Sequence, residues 1–294
     1  MRRFSRTGSS RRLIFLKKGL TIRQNGGHVG NPFFPNDAYH TSDGTRRVIG
    51  DRLLLGSRWW FYLRFAAIVL RSRSYALRGI YSDELWAKTS HAVFRRIEES
   101  GGRFHLTGLN HLAEGRDPMV IVSNHMSTLE TIIFPCIIVP FRPLTFVVKD
   151  SLVRGLFGPI MRSRSPVVVG RKNPRQDLQT VFEEGQDRLE RGFSIVIFPQ
   201  STRRTDFSPD HFNSLGVKLA RRAGVRVLPV AIKTDFWGNG KRLKEFGPLN
   251  RNHPIHMAFG VPRPITGNGN DTQLDIIRFI QDHLDDWKSQ DAAR

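Results

Sequence analysis

The chain has 294 residues, enough for one domain with a full hydrophobic core and an extension. Its formal net charge of +20 and pI near 11.2 indicate an anionic partner. The single cysteine, Cys136, excludes an intrachain disulfide and a thiolate metal cluster. Since the histidines match no metal-binding spacing, we expect no metal and no cofactor.

The first 50 residues are strongly basic and contain only two acids, Asp37 and Asp43. Glycines and the dipeptide Asn31-Pro32 interrupt this stretch, which predicts a poorly ordered arm over residues 1–50. Its apolar run, Leu13–Leu16, is too short for the core of a secretory signal peptide.

Residues 51–100 are predicted to be helical and amphipathic. The segment Leu53–Leu70 is aromatic and apolar, but Arg58 and Arg64 interrupt it. An arginine near the centre of a spanning helix costs roughly 2.5–3.5 kcal/mol, so we expect a helix lying in the membrane interface. A core helix packed on the following domain is the alternative. A second amphipathic helix is predicted over Asp83–Glu99.

From residue 101 to residue 294, short apolar runs alternate with amphipathic segments. This alternation predicts an α/β domain in which helices flank a mostly parallel or mixed central sheet. After a first strand at Phe104–Leu106, the predicted strands are Met119–Val122, Leu144–Val148, Val167–Val169, Ile195–Phe198, Val227–Ile232 and Ile255–Phe259. The predicted helices are Leu178–Glu190, Phe212–Arg222 and a closing helix, Leu274–Trp287.

His125 lies just after the predicted strand Met119–Val122, and Glu130 follows five residues later. A neutral imidazole can accept the proton of an attacking hydroxyl, while a carboxylate fixes the tautomer of the ring and stabilises the imidazolium. We predict that His125 is a general base, that Glu130 orients it, and that Asn124 positions the turn. The alternative is a helix-capping histidine beside a solvated first-turn acid.

A second polar turn follows the predicted strand Ile195–Phe198. Its side chains suit an anionic ligand, because the guanidinium of Arg203 can bind two phosphate oxygens while Ser201 and Thr202 provide hydroxyl groups. Lys149 can add a point charge. The alternative is that such arginines, Arg171 among them, are members of a basic surface.

The two turns resemble the blocks NHxxxxD and FPEGTR of the glycerolipid acyltransferases, the lysophospholipid or 1-acylglycerol-3-phosphate acyltransferases. Glu130 replaces the usual Asp of the first block, and Gln200 and Ser201 replace the Glu and Gly of the second. Two further blocks follow the family order, one from Lys149 to Arg171 and one at Val227–Ile232. The flanks match weakly or not at all.

The resemblance implies transfer of a fatty acyl group from acyl-CoA or acyl carrier protein to the hydroxyl of a lysophospholipid. The default acceptor is lysophosphatidic acid, which gives phosphatidic acid. The resemblance also implies an acceptor site, with these candidate binding residues: Asn124, Lys149, Arg171, Ser201, Thr202 and Arg203. Because Gln200 and Ser201 depart from the family, another lysophospholipid, an amino-acid-containing lipid or a glycolipid stays open as acceptor. A basic binding protein with a decayed active site is a further alternative.

The excess positive charge favours an anionic membrane surface over nucleic acid. No zinc-finger spacing, helix-turn-helix signal or RNA-binding pattern accompanies it. Each lysine or arginine near an anionic leaflet contributes on the order of 1 kcal/mol. We therefore expect a peripheral or monotopic protein at the cytoplasmic face of the inner membrane, and no nucleic-acid partner.

Overall fold

The structure, a computed structural model, describes residues 30–45, 47, 58–200, 202–240 and 245–293. Its strands are β1 Tyr39–His40, β2 Phe104–Thr107, β3 Met119–Ser123, β4 Leu144–Lys149, β5 Val167–Val169, β6 Ser194–Ile197, β7 Arg226–Lys233 and β8 Ile255–Phe259. They form one eight-stranded sheet in the order β1-β2-β8-β7-β3-β6-β4-β5. The pairs β1–β2 and β7–β8 are antiparallel and the other neighbours are parallel. The predicted α/β class with a mixed sheet is confirmed.

Seven α-helices in the described part of the chain cover the sheet. They are α1 Arg58–Leu77, α2 Asp83–Glu99, α3 Leu129–Ile138, α4 Gly158–Arg162, α5 Pro174–Glu190, α6 Leu215–Ala223 and α7 Asn270–Ala292. Side chains of α1 to α4 contribute to the core on one face of the sheet, and those of α5 to α7 to the core on the other. None of these described helices is both long enough and apolar enough to cross a membrane.

The central strands are continuous apolar runs because both faces of the sheet are covered. Along β3, Met119 and Ile121 enter one core, whereas Val120 and Val122 enter the other. Helix α6 approaches β3 closely at Gly216, where an added Cβ would lie 2.5 Å from a methyl of Val122. A side chain at this position would therefore push the helix away from the strand.

Residues 30–45 pack against the domain, although they fall within the predicted arm. Asn31 is 2% exposed, and its amide donates hydrogen bonds of 2.9 Å to the carbonyls of Cys136 and Ile137. Strand β1 also pairs with β2. Charge and glycine content alone did not reveal these partners. The other residues of the predicted arm lie outside the described residues, save Arg47.

Helix α1 corresponds to the predicted interfacial segment Leu53–Leu70, of which residues 53–57 lie outside the described part. The helix continues to Leu77, beyond the predicted end. Its Phe61, Phe65 and Val69 are buried in the core, so the helix packs on the domain along one side.

Candidate active site

The two predicted turns meet because the strands before them are parallel neighbours. In the sheet, β3 lies beside β6, β6 beside β4, and β4 beside β5. The carboxyl ends of these strands share one edge, which is where ligands bind in open α/β sheets. His125, Gln200, Lys149 and Arg171 lie at or just after these four strand ends.

His125 and Glu130 are in direct contact. The Nδ1 atom of His125 lies 2.8 Å from Oε1 of Glu130, and the histidine side chain is 14% exposed. A carboxylate partner fixes the proton on Nδ1, which leaves Nε2 as the atom able to accept a proton. The pair bridges the turn after β3 and the first turn of α3.

The carboxylate of Glu130 is fully buried and accepts five hydrogen bonds. Besides His125, its donors are the backbone N–H groups of Met126 and Ser127 and the hydroxyls of Ser127 and Thr234, each at 2.8 Å. Burial opposes ionisation, but the hydrogen bond and charge of His125 and the donors around the carboxylate lower the pKa of Glu130. The group therefore stays ionised at neutral pH. The longer arm of glutamate reaches these donors from the helix.

Residues of the second turn hold the His125 turn in place. The side-chain carbonyl of Gln200 accepts the N–H of His125 at 2.7 Å, and the N–H of Arg204 donates to the His125 carbonyl at 2.9 Å. The ring of Phe198 stacks on the imidazole with centroids 4.2 Å apart. Phe198 therefore orients the imidazole of His125, a contact that its place at the end of an apolar strand did not indicate.

Asn124 ties the turn to the sheet. Its amide donates to the carbonyl of Ile232 at 2.8 Å and accepts the N–H of the same residue at 2.9 Å. Both polar atoms are used within the protein, and the side chain is 1% exposed. The structure thus places Asn124 behind the turn, where it positions His125, and not on the cavity wall.

His125 lies on the wall of a cavity of about 990 Å³. One part of the wall is apolar and is formed by side chains of α1, α2, α4 and β4, among them Phe65, Val69, Trp86, Val93, Phe146 and Ile160. The other part carries basic and polar side chains, among them Lys149, Arg171, Thr202, Arg203 and Lys218. The structure therefore brings together four predicted binding residues. Ser201 lies outside the described residues.

Arg171 takes a left-handed backbone conformation with φ of 57°, which is uncommon for a residue with a side chain. The carboxylate of Asp177 holds this turn by accepting the N–H groups of Gly170 at 2.9 Å and Arg171 at 2.8 Å. Asp177 therefore shapes the turn that carries Arg171 at the cavity.

Arg203 lies beside an acid that the sequence patterns did not indicate. Its Nη1 atom is 3.5 Å from Oε1 of Glu245, which comes from the segment between β7 and β8 and also lines the cavity. Lys218 of α6 was missed as well, because it occupies an ordinary polar position of an amphipathic helix. No local motif surrounds either residue.

Two buried polar atoms on the cavity wall have no hydrogen-bond partner among the described residues. They are Nε2 of Gln200 and the hydroxyl of Thr128, in side chains 2% and 6% exposed. The orientation of the Gln200 amide follows from its carbonyl accepting the His125 N–H, which makes the remaining atom a donor. Both groups lie close to His125 in sequence or in space, and each has a hydrogen-bonding capacity that the described residues do not use.

The fold and the site define an α/β protein with a histidine–carboxylate pair at the carboxyl edge of its sheet. Residues 103–233 match the Acyltransferase family model. A 1-acyl-sn-glycerol-3-phosphate acyltransferase of Pseudomonas aeruginosa is 33% identical over 140 residues, which are 47% of this chain and 52% of that protein. A Mycoplasma genitalium protein named as a probable enzyme of the same kind is 27% identical over 72% of this chain and 82% of its own.

The crystal structure of the 1-acyl-sn-glycerophosphate acyltransferase PlsC from Thermotoga maritima has the same fold. It superposes with a TM-score of 0.63 at 17% identity, covering 81% of this chain and 97% of that one. The chain spans about half the length of the Pseudomonas protein that it matches.

Proposed function

We propose that the protein transfers a fatty acyl group from acyl-CoA or acyl carrier protein to the hydroxyl of a lysophospholipid, with lysophosphatidic acid as the first acceptor to test. The observation that carries this proposal is the His125–Glu130 pair on the wall of a cavity that is apolar in one part and basic in another. The names of the similar proteins support the same reaction.

In this mechanism, Nε2 of His125 takes the proton of the acceptor hydroxyl while the oxygen attacks the thioester carbonyl. The ionised Glu130 stabilises the imidazolium that forms. The tetrahedral intermediate then collapses and expels the thiolate, which receives the proton from His125. The unpartnered donors of Gln200 and Thr128 can bind a substrate oxygen near the reacting centre.

The two parts of the cavity suit the two parts of an acyl-lipid substrate. Apolar side chains such as Phe65, Val93 and Phe146 offer a dry wall for a hydrocarbon chain. Arg203 and Lys149 lie on the polar part and can bind an anionic headgroup. The hydrogen bond between His125 and Glu130 on the cavity wall favours catalysis over the alternative of a protein with a decayed active site.

Helix α1 supports a peripheral membrane contact. Trp59, Leu63, Leu70 and Leu77 are between 57% and 65% exposed, and their spacing places them along one side of the helix. Arg58 lies 5.4 Å from the centre of the Trp59 ring. We propose that this side lies on an anionic membrane surface, at the cytoplasmic face of the inner membrane, and that the acceptor enters the cavity from there.

The test is release of free thiol from acyl-CoA and from acyl carrier protein by the purified protein, with and without lysophosphatidic acid. Mass spectrometry of the lipid product identifies the acceptor. We expect acceptor-dependent thiol release and a diacylated product. No release with any donor and acceptor pair, from folded protein that binds anionic vesicles, would contradict the proposed function.

A further inference from the structure

The two acids on the described part of the cavity wall have different hydrogen-bond partners. Among the described lining residues the acids are Asp177 and Glu245. The carboxylate of Asp177 accepts hydrogen bonds from the backbone of the Arg171 turn. The carboxylate of Glu245 instead faces Arg203, the residue proposed to bind the acceptor anion. An anion-binding site thus carries a negative charge of its own.

The contact between Arg203 and Glu245 is loose. Their 3.5 Å separation exceeds the usual 2.7–3.2 Å for an N–H···O hydrogen bond, and the side chains are 16% and 29% exposed. Each group therefore keeps the capacity to bind a ligand group of opposite charge. The guanidinium suits a phosphate or a carboxylate, and the carboxylate suits an ammonium.

The backbone of Glu245 is held in place by the core. Its carbonyl accepts the indole N–H of Trp237 at 3.0 Å, and Trp237 is fully buried, with its ring 4.9 Å from that of Phe61. Two residues along the chain, the carbonyl of Gly247 accepts the hydroxyl of Tyr62 at 2.7 Å. The carboxylate is thus presented to the cavity by a packed scaffold.

The neutral side chain of Gln200 changes where negative charge lies in this site. The resembled family block has a glutamate at this position, whereas here the side chain is a neutral amide bonded to the His125 N–H. The negative charge near Arg203 comes from Glu245 on another segment. The site therefore has an uncharged donor next to the base and a separate pair of opposite charges further along the cavity wall.

We propose that the preferred acceptor has a zwitterionic headgroup, with its anionic group on Arg203 and its ammonium group on Glu245. This inference rests on the acyltransferase function proposed above and narrows its acceptor class. A headgroup with phosphate alone would place a second anion beside the Glu245 carboxylate, whereas an ammonium removes that repulsion. A phosphoethanolamine headgroup and an amino-acid headgroup share this chemistry.

The experiment compares kcat/KM for three acceptors: lysophosphatidic acid, lysophosphatidylethanolamine and a 3-hydroxyacyl amide of lysine, which carries a free hydroxyl, a carboxylate and an ammonium. We expect one of the zwitterionic acceptors to exceed lysophosphatidic acid by about fivefold, and the preferred one identifies the source of the headgroup. In Glu245→Gln the preference should disappear, because kcat/KM rises for lysophosphatidic acid and falls for the zwitterion.

Glu183→Gln is the matched control, since Glu183 is exposed, bonds to Gln179 and does not line the cavity. This variant should keep the wild-type ratio of kcat/KM for the zwitterionic acceptor to kcat/KM for lysophosphatidic acid. The inference is overturned if lysophosphatidic acid is the best acceptor of the wild type, or if Glu245→Gln leaves the ratio unchanged. Absence of acceptor-dependent turnover with all three lipids would instead contradict the proposed acyltransferase function.

Discussion

The proposed catalytic region of the cavity, around His125 and Glu130, and its proposed headgroup region, around Arg203 and Glu245, are built in different ways. The carboxylate of Glu130 is fully buried, and its five hydrogen bonds are all 2.8 Å long. Arg203 and Glu245 are partly exposed and 3.5 Å apart. The first region is fixed by a strand end and a helix, the second by loops. Under the proposed function, the residues of the reaction are held by a strand end and a helix, whereas the residues that bind the acceptor lie on loops, where substitutions cost little stability.

The largest effect should come from Glu130→Gln, which disrupts the buried hydrogen bonds of the proposed catalytic region. We expect kcat to fall about 10²- to 10⁴-fold, since an amide does not stabilise the imidazolium. The free energy of unfolding should also fall by about 1–3 kcal/mol, because the new NH₂ group faces buried N–H donors. Thiol-release kinetics and denaturant unfolding measure both. Glu130→Asp keeps the charge and serves as control. A near-normal kcat in Glu130→Gln would show that the charge of Glu130 is not needed for the reaction.

In the headgroup region, Arg203→Gln should raise the KM for an anionic acceptor by roughly 10- to 100-fold. The effect on kcat should be smaller and the stability nearly unchanged, because the side chain is partly exposed and loosely paired. Steady-state kinetics at varied acceptor concentration measure the effects on KM and on kcat separately. Arg191→Gln is the control, since Arg191 is exposed and pairs with Asp187 at 3.3 Å. Equal KM values in the two variants would show that Arg203 does not bind the acceptor.

Phe198→Leu tests whether stacking on the imidazole orients the base. Leucine keeps most of the apolar volume but loses the ring that lies 4.2 Å from His125. We expect a fall in kcat of about three- to tenfold, with the KM for the acceptor unchanged. The control variant is Phe182→Leu, since Phe182 on α5 is partly buried, contacts Arg222 and does not line the cavity. A changed KM with a normal kcat would assign Phe198 to the headgroup region instead.

The sequence predicted the frame of the fold more fully than the headgroup region. Val167–Val169 and Ile255–Phe259 are strands with the predicted bounds, because short, mostly apolar runs are typical of strands covered on both faces. Helix α5 begins at Pro174, four residues before the predicted start, since Asn173 caps it and proline occupies its first position. The prediction had relied on apolar spacing and not on these caps.

The candidate site was predictable where its residues follow strand ends and unpredictable where they lie on loops. His125, Lys149 and Arg203 were identified from polar turns after apolar strands and from the family resemblance. Glu245 reaches the cavity from a segment held by long-range contacts of Trp237 and Tyr62, and no local pattern encodes those contacts. Phe198 was predicted as a strand residue, but β6 ends at Ile197.

The smallest expected effect on activity concerns His256, which lies outside both regions, stacked between His105 and Trp287. Burial, followed by the charge of His105, lowers the pKa of His256 to about 4, despite the nearby Asp291. An unfolded histidine titrates near pH 6.5, so its contribution to stability is complete above about pH 6.5 and is lost as the pH falls toward 4.

We expect this group to account for on the order of 2 kcal/mol of the stability lost between pH 7 and pH 4.5. Denaturant unfolding at both pH values should show a weaker pH dependence in His256→Phe, which keeps an aromatic ring beside Trp287. An identical pH dependence in the variant and the wild type would show that His256 does not contribute. Thiol release at pH 7 should be nearly unchanged in the variant.

The most direct test of the central claim is the rate of acceptor-dependent thiol release by wild-type protein and His125→Ala, both shown to be folded and to bind anionic vesicles equally. The histidine–carboxylate account predicts turnover in the wild type and a loss of at least about 10³-fold in the variant, with vesicle binding retained. Turnover that survives the removal of His125 would contradict it.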